Sequence, residues 1–155
     1  MGTAKLSSIR VLVVDDDPEQ RALITQLIGA QGFCAQAACD GAEALQLHQR
    51  TPADVIVTDL MMPTMDGFEL LRSLEANGDR TPTIVLTGFG SIEKAISIVH
   101  DLRAFWFLEK PIQARILCTL LERAVMQKRL LDETKLLSRQ LSHRDRSRRP
   151  RQQGK

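Results

Sequence analysis

Hydrophobic positions along the chain switch repeatedly between two periods. "RVLVV" (10–14) is a short, continuous apolar run rich in β-branched residues, as expected of a strand buried on both faces. It stops at "DDDP". Pro18 after Asp17 is a helix start, and Leu23, Ile24, Leu27 and Ile28 then recur at helical spacing until Gly32. "FCAQAA" (33–38) predicts a weaker strand nearer an edge. Asp40 suits the cap of a helix carrying Ala44, Leu45 and Leu47, which must end before Pro52. "VIVTD" (55–59) is the next buried strand and "FELLRSLEA" (68–76) the next amphipathic helix. Then follow a strand "TIVLT" (83–87), a helix opened by Ser91 with Ile92, Ala95, Ile96 and Val99 on one face, a strand "FWFL" (105–108), and a final helix from about Ile112.

Strands that alternate with helices imply a parallel sheet, because each parallel pair needs a crossover and the helix supplies it. Five βα units fit the length. The expected fold is α/β: a flavodoxin-like, doubly wound (βα)5 parallel sheet of strand order 2-1-3-4-5 with an extended C-terminal helix. Its divisions are a leader at 1–8, a domain at 9–125, a coiled-coil-like helical extension at 126–142 and a basic disordered tail at 143–155.

In such a sheet the C-terminal strand ends share one edge, where ligands bind. The first strand ends in Asp15, Asp16 and Asp17, the third in Asp59, the fourth in Thr87, and the fifth in Glu109 and Lys110. A carboxylate ending a buried strand loses hydration for nothing unless something nearby needs its charge. Several acids together repel one another unless a hard cation sits among them, and oxygen-only ligands with room for water suit Mg²⁺. A lysine ammonium and a threonine hydroxyl facing the same point can hold the oxygens of a phosphoryl group on one carboxylate, for which Asp59 is the natural nucleophile.

Composition narrows the setting. A chain of 155 residues suits one well-buried domain and a short appendage. The formal charge of +2 is lopsided: from His143 onward, six Lys or Arg face the single acid Asp145. No apolar stretch is long enough to span a bilayer and "MGTAKLSS" lacks a signal-peptide core, so a cytoplasmic protein without membrane contact is expected. Cys34, Cys39 and Cys118 lack metal-ligand spacing and read as reduced packing residues.

"VLVVDDDP", "DLMMPTMDG", "VLTGFGS" and "FLEKP", in this order and spacing, resemble the receiver (response regulator, CheY-like) domain of bacterial two-component systems over residues 9–125. The resemblance implies Asp59 as phosphoacceptor. It also implies Asp15, Asp16, Asp59 and the Met61 backbone carbonyl around Mg²⁺, with Asp16 the more direct ligand of the acidic pair. Thr87 resembles the switch hydroxyl, Lys110 the phosphoryl-binding lysine, Pro111 the proline that follows it, and Pro63 and Gly67 the loop after the acceptor. The phosphoryl donor would be a sensor histidine kinase or phosphotransfer protein. Such a domain is not an enzyme toward other substrates and catalyses only its own phosphorylation and dephosphorylation. Phosphate on Asp59 would draw Thr87 inward, position 107 would follow, and the face made by the fourth helix, fifth strand and fifth helix would change.

The chain departs from the family pattern in places. Position 107 is Phe rather than Tyr, Arg103 stands where Gly is frequent, and Trp106 where a small or acidic residue is usual. Strand alternation sends Trp106 to the side opposite Phe105 and Phe107, and Phe105 and Trp106 are candidates for a signalling or dimer surface. Met61 and Phe89 flank the site, and their bulk would hinder an attacking water and prolong the phosphoaspartate. The last helix reads on through "TLLERAVMQKRLLDETKLLSRQLS" without Pro or Gly. Leu117, Leu121, Ala124, Lys128 and Leu131 follow a heptad-like seam, and Leu130, Leu137 and Leu141 an offset one. Such an extension resembles the signalling helix of receivers in alternative-sigma-factor activators. A homodimer is expected, through Leu121 and Leu131 of the C-terminal helix or through the face of the fourth helix, fifth strand and fifth helix. "HRDRSRRPRQQGK" reads as a solvated terminus rather than a nucleic-acid contact. The downstream partner would be a protein target or an output domain.

Two rivals use related parts. A flavodoxin-like FMN protein would need its first loop to cradle a phosphate, which three consecutive acids repel. A haloacid-dehalogenase-like phosphatase also forms an aspartyl phosphate with Mg²⁺, but Pro18 and Glu19 follow its D-x-D spacing here and no acidic pair follows Lys110.

Overall fold

The computed structural model describes residues 8–62, 65–88 and 92–148. Its elements run β1 (Arg10–Val14), α1 (Pro18–Ala30), β2 (Cys34–Ala38), α2 (Gly41–Arg50), β3 (Val55–Asp59), α3 (Gly67–Ala76), β4 (Thr83–Thr87), α4 (Ile92–Asp101), β5 (Trp106–Glu109) and α5 (Ala114–Arg148). The strands form one parallel sheet of order β2-β1-β3-β4-β5, the expected flavodoxin-like winding. Every residue of β3 and β4 is buried, which is why these strands read as unbroken apolar runs rather than alternating ones.

The two faces of the sheet are covered by different helices. Val11, Val13, Val57, Ile84, Leu86 and Leu108 pack with Ile24 and Ile28 of α1 and with Leu117, Leu121 and Ala124 of α5. On the other face Leu12, Val14 and Ile56 meet Ala44, Leu70 and Leu74, while Val85 joins Leu60, Leu71 and Ala104, with Val99 and Phe107 alongside. The helix starts are set by acids. Asp17, Asp40 and Asp66 each occupy an N-cap and accept from the backbone N–H of Glu19, Glu43 and Glu69, at 3.0, 2.8 and 2.9 Å. Each cap is worth about 1 kcal/mol. At the opposite edge from the strand-end acids, His48 takes the Ala53 N–H on Nδ1 and shares Nε2 with Asp79 at 2.7 Å, tying α2 to the loop before β4. That hydrogen bond to His48 holds the Asp79 carboxyl well below the usual carboxylate range.

Several expectations need correction. β5 begins at Trp106 rather than Phe105, and α5 at Ala114 rather than Ile112. Because Phe105 precedes the strand, alternation does not govern it: it packs against the α1/α5 cluster, whereas Phe107 joins the opposite cluster. Trp106 is not segregated from Phe107 either. β5 is an edge strand, and the two rings stack with centroids 5.9 Å apart and planes 13° apart. Arg103 takes a left-handed φ of 56°, the region where glycine has no steric penalty, and this is the conformational reason a glycine suits that position. Cys34 and Cys39 are exposed rather than packed, since β2 is the other edge. The Cys39 thiol donates to Glu43 at 2.7 Å, and this hydrogen bond pushes it up from its ordinary value.

Leu121 is a core residue, 0% exposed like Leu117 and Ala124, so it is withdrawn as an interface candidate. The i, i+3, i+4 spacing of a helix that packs on its own sheet matches the start of a coiled-coil seam, and spacing alone cannot separate them. Leu131 is half-buried. From Asp132 to Ser147 every side chain is exposed, and the helix continues to Arg148 through the first residues of what the sequence predicted as an irregular tail. No Pro or Gly interrupts the sequence between Pro111 and Pro150. The expected helix cap Ser91, and Pro63 and Phe89 beside the site, lie outside the described residues.

Two leucines on α5 therefore predict opposite outcomes in urea melts. Leu121→Ala should lose about 2–5 kcal/mol of domain stability, as a cavity in a close-packed core does. Leu137→Ala, which is 59% exposed, should change it by no more than about 0.5 kcal/mol.

Candidate functional site

The strand-end residues converge at the carboxyl edge of β1, β3, β4 and β5. Asp59 closes β3, 6% exposed, and its Oδ2 lies 2.9 Å from the Lys110 ammonium. Its Oδ1 faces the Met61 backbone N–H at 3.4 Å, while the Met61 side chain is exposed. Lys110 immediately follows β5 and is fixed there by its own N–H, which donates to the Thr87 carbonyl at 2.8 Å; Pro111 follows through a cis peptide. The Lys110 ammonium also donates to Gln20 Oε1 at 2.8 Å. No motif singled out Gln20, because it occupies an ordinary polar position in the first turns of α1. Its sequence signal is only its place three residues after the acidic run.

Asp15 is fully buried and Asp16 exposed. Asp15 Oδ1 accepts from the Asp17 N–H at 3.0 Å, and the Arg21 guanidinium donates to the Asp15 carbonyl at 2.9 Å. Oxygens of Asp15, Asp16 and Asp59 all lie within 4.8 Å of one another. Burial pushes the Asp15 carboxyl up from its ordinary value, and the Asp59 and Asp16 charges add to this, against the opposing Asp17 N–H and Lys110. One ammonium cannot neutralise three acids at that spacing.

Two buried side-chain polar atoms have no hydrogen-bond partner among the described residues: Asp15 Oδ2 and Thr87 Oγ1. Orphaned buried polar atoms are rare in folded proteins and call for an explanation. Both belong to this edge. A buried carboxylate oxygen without a donor, in an all-oxygen cluster of mutually repelling acids, is what a hard cation would complete. An orphaned hydroxyl on the strand between Asp59 and Lys110 can accept or donate to a newly arrived oxygen.

The loop after Asp59 is held close by Gly67. Its N–H donates to the Leu60 carbonyl at 3.0 Å, and a Cβ there would come within 2.7 Å of the Asp59 carbonyl oxygen. Any side chain at 67 would push α3 away from the Asp59 backbone. The remaining sequence candidates are placed apart from this cluster. Phe107 lies on the sheet face of Val85 and pairs with it in register, which makes it a diagonal neighbour of Thr87. Phe105 and Leu121 point into the α1/α5 core, Trp106 is 51% exposed at the sheet edge, and Leu131 sits far along α5.

Fold and site together define a doubly wound α/β protein with an acidic pocket and a single lysine at the topological edge. Comparison with known proteins resolves the class further. The profile of the response regulator receiver domain matches residues 11–122, and the chain belongs to that family. It is 33% identical over 126 residues to the response regulator MprA of Mycobacterium ulcerans, covering 81% of this chain and 54% of that one. It is 31% identical over 133 residues to the regulatory protein AtoC of Escherichia coli, covering 86% and 29%. The chain thus spans about half or less of the length of these curated relatives. Among solved structures, a response regulator receiver domain protein from Clostridium thermocellum superposes with a TM-score of 0.74 at 30% identity, over 79% of this chain and 98% of that one. NtrX from Brucella abortus does so at 0.76 and 28%, over 83% and 29%. Neither the flavodoxin nor the phosphatase reading is favoured by these matches.

The acid cluster predicts a measurable pH dependence in metal-free buffer. Asp15's folded pKa is raised, so its contribution to stability is full below its unfolded pKa and is lost as pH rises through the folded one. Asp15→Asn, neutral throughout and still able to accept from Asp17, should therefore melt at a higher temperature than the wild type at neutral pH. The gap should close as pH falls through the raised folded pKa of Asp15, below which Asp15 is itself neutral. Thermal melts in chelator across that range test this, and a gap independent of pH would contradict it.

Proposed function

We propose that the chain accepts a phosphoryl group on Asp59 from a phosphohistidine of a sensor histidine kinase or phosphotransfer protein. We further propose that it answers by reshaping the surface around α4, β5 and α5. The observation that carries this reading is the pair of orphaned buried oxygens, Asp15 Oδ2 and Thr87 Oγ1, at the ends of the two strands that flank β3, the strand closed by Asp59. Each is a place prepared for a group that the protein chain does not itself supply.

In the proposed step a carboxylate oxygen of Asp59 attacks phosphorus in line. The P–N bond to the donor imidazole breaks with its electron pair left on nitrogen, and an O–P bond to Asp59 forms. Asp15, Asp16, Asp59 and the Met61 carbonyl are the residues that would hold Mg²⁺, which when bound supplies charge neutralisation for the phosphoryl oxygens. Lys110 spends two of its three ammonium protons on Asp59 and Gln20, and the third is free among the described residues for a phosphoryl oxygen. Gln20 keeps the ammonium in place when the Asp59 carboxylate becomes an acyl phosphate and its negative charge moves outward onto the phosphoryl oxygens. Thr87 Oγ1 gains a hydrogen-bond partner on phosphorylation. Its movement frees space on the sheet face it shares with Phe107, and Phe107 carries the stacked Trp106 with it. Differential binding of phosphate to the two arrangements sets how far the equilibrium moves.

The output reading is a homodimer. Ile96, Trp106 and Ile116 are exposed apolar side chains on α4, β5 and α5, and Met126, Leu130, Leu137 and Leu141 extend one exposed stripe along the projecting α5. A helix of 35 residues, roughly 52 Å long, cannot cover that stripe with its own domain. A second copy of the same helix would.

Incubation with acetyl phosphate and Mg²⁺ tests the acceptor. A hydroxylamine-labile adduct should form on the wild type and be absent from Asp59→Asn, and an adduct on both would sink the assignment. Gln20→Leu should slow labelling by roughly tenfold or more, since displacing a positioned charge is costly. Trp106, the sole tryptophan, should change its emission on phosphorylation in the wild type. In Thr87→Ala labelled to the same extent, it should not. Light scattering before and after labelling reads the dimer.

A further inference from the structure

The projecting half of α5 carries two faces that differ in chemistry. At about 100° per residue, Met126, Leu130, Leu137 and Leu141 fall within roughly 60° of one another. Lys135, Arg139, His143 and Arg146 fall within roughly 80° on the opposite side. The basic face continues the one that packs Leu117, Leu121 and Ala124 on the sheet; Lys135 still borders a groove with His48, Gln49 and Asp54, and from Arg139 onward the face is exposed to solvent. Between Lys135 and Arg146 the one acid, Asp145, points about 100° away from its neighbour Arg146. Nearer the domain Lys128 has its own partner, Asp132 at 3.2 Å. Among the described residues no carboxylate pairs with Lys135, Arg139, Arg144 or Arg146.

This arrangement is unfavourable in isolation, because like charges at i, i+4, such as Lys135 and Arg139, destabilise a solvated helix. Phosphates along its side would reverse that sign. Beyond Leu141 the leucine face ends and its next position is Arg144. Two helices joined at the leucines would therefore repel and splay from there, with Arg144 and Arg146 about 160° apart on opposite sides of the helix.

We infer that residues 135–148 of α5 form a binding surface for the phosphate backbone of double-stranded DNA, independent of base sequence. Arginine outnumbers lysine on it, and the guanidinium fork matches phosphate oxygens bidentately. An α-helix about 10–12 Å across fits the major groove, about 12 Å wide. A membrane surface fits less well. No apolar residue lies between Ser142 and Ser147, so the most basic turns have no face to bury in lipid. Single strands fit less well too, as the chain has no aromatic residue after Phe107 on which bases could stack. The inference does not depend on phosphotransfer to Asp59.

Fluorescence anisotropy of a labelled, random-sequence duplex titrated with the full chain is the test. Binding should weaken with salt at a log–log slope of about −3 to −4 per chain, the value for about four neutralised phosphates. The double reversal Arg139→Glu with Arg146→Glu should lower affinity at least tenfold and flatten the slope. Arg139→Lys with Arg146→Lys should stay within a few-fold, and Asp59→Asn should bind as the wild type does. Circular dichroism reads whether each variant keeps its helix. Absence of binding at low salt, or full affinity in the helical double reversal, overturns the proposal. So does displacement of the duplex by phosphatidylserine vesicles at lower concentration than by unlabelled duplex. Loss of labelling at Asp59 with duplex binding intact would refute the phosphotransfer reading alone.

Discussion

The ion pair between Lys110 and Asp59 is the contact on which the carboxyl edge of the sheet depends. Three carboxylates from two strand ends meet there with one ammonium, and two of the three are buried. A buried charge without a partner is among the costliest features a fold can carry. Lys110 therefore cannot be an incidental surface cation: its removal would leave Asp59 and Asp15 facing each other without a counter-charge. Its position is over-determined accordingly, by the backbone bond to Thr87, by Asp59 and by Gln20.

Even with Lys110 in place the edge is not balanced. Asp15's raised pKa reflects first the burial of its charge and then repulsion from Asp59 and Asp16, and its orphaned oxygen marks where the balance fails. The fold tolerates this because β3 and β4 are buried along their whole length between two helical layers, so local strain at the strand ends is set against a large apolar core. Any cation or phosphoryl group that binds the folded edge and not the unfolded chain then stabilises the protein by linkage. The same imbalance that costs stability in the free state is what gives a ligand its leverage over conformation.

Most of this was legible in the sequence because it rests on short-range rules. Buried parallel strands read as apolar runs, Asp40 before a helical run reads as its cap, and acids at two strand ends meet once the winding is known. What was not legible depends on distances that a one-dimensional pattern does not encode. Gln20 sits in an ordinary helix turn and acquires its role only through Lys110, 90 positions later. Phe105 and Phe107 look equivalent by alternation, yet one precedes the strand and enters the opposite core. Leu121 looks like a coiled-coil residue because a helix packed on a sheet and a helix packed on another helix show the same spacing over two turns. The extent of α5 past residue 142 was missed because charge was read as disorder, although nothing before Pro150 breaks the helix.

The connection from site to projecting helix is short. β5 ends at Glu109, Lys110 follows it directly, and α5 begins at Ala114, so only Pro111, Ile112 and Gln113 separate the lysine paired with Asp59 from the long helix. Phe107 and Trp106 are on the same strand, stacked at its free edge. The first three turns of α5 are locked to the sheet by Leu117, Leu121 and Ala124, none of which is exposed. A shift of β5 relative to β4 is therefore not absorbed by a flexible linker. The root of α5 rests on Val57, Ile84 and Leu86 as well as on Leu108 of β5, so a shift of β5 would reach it through the three-residue link, and a rod of this length would magnify any small rotation at its root into a displacement of several ångströms at its tip. Among the described residues no side chain beyond Val125 is buried, so the far half of α5 would follow whatever its root does.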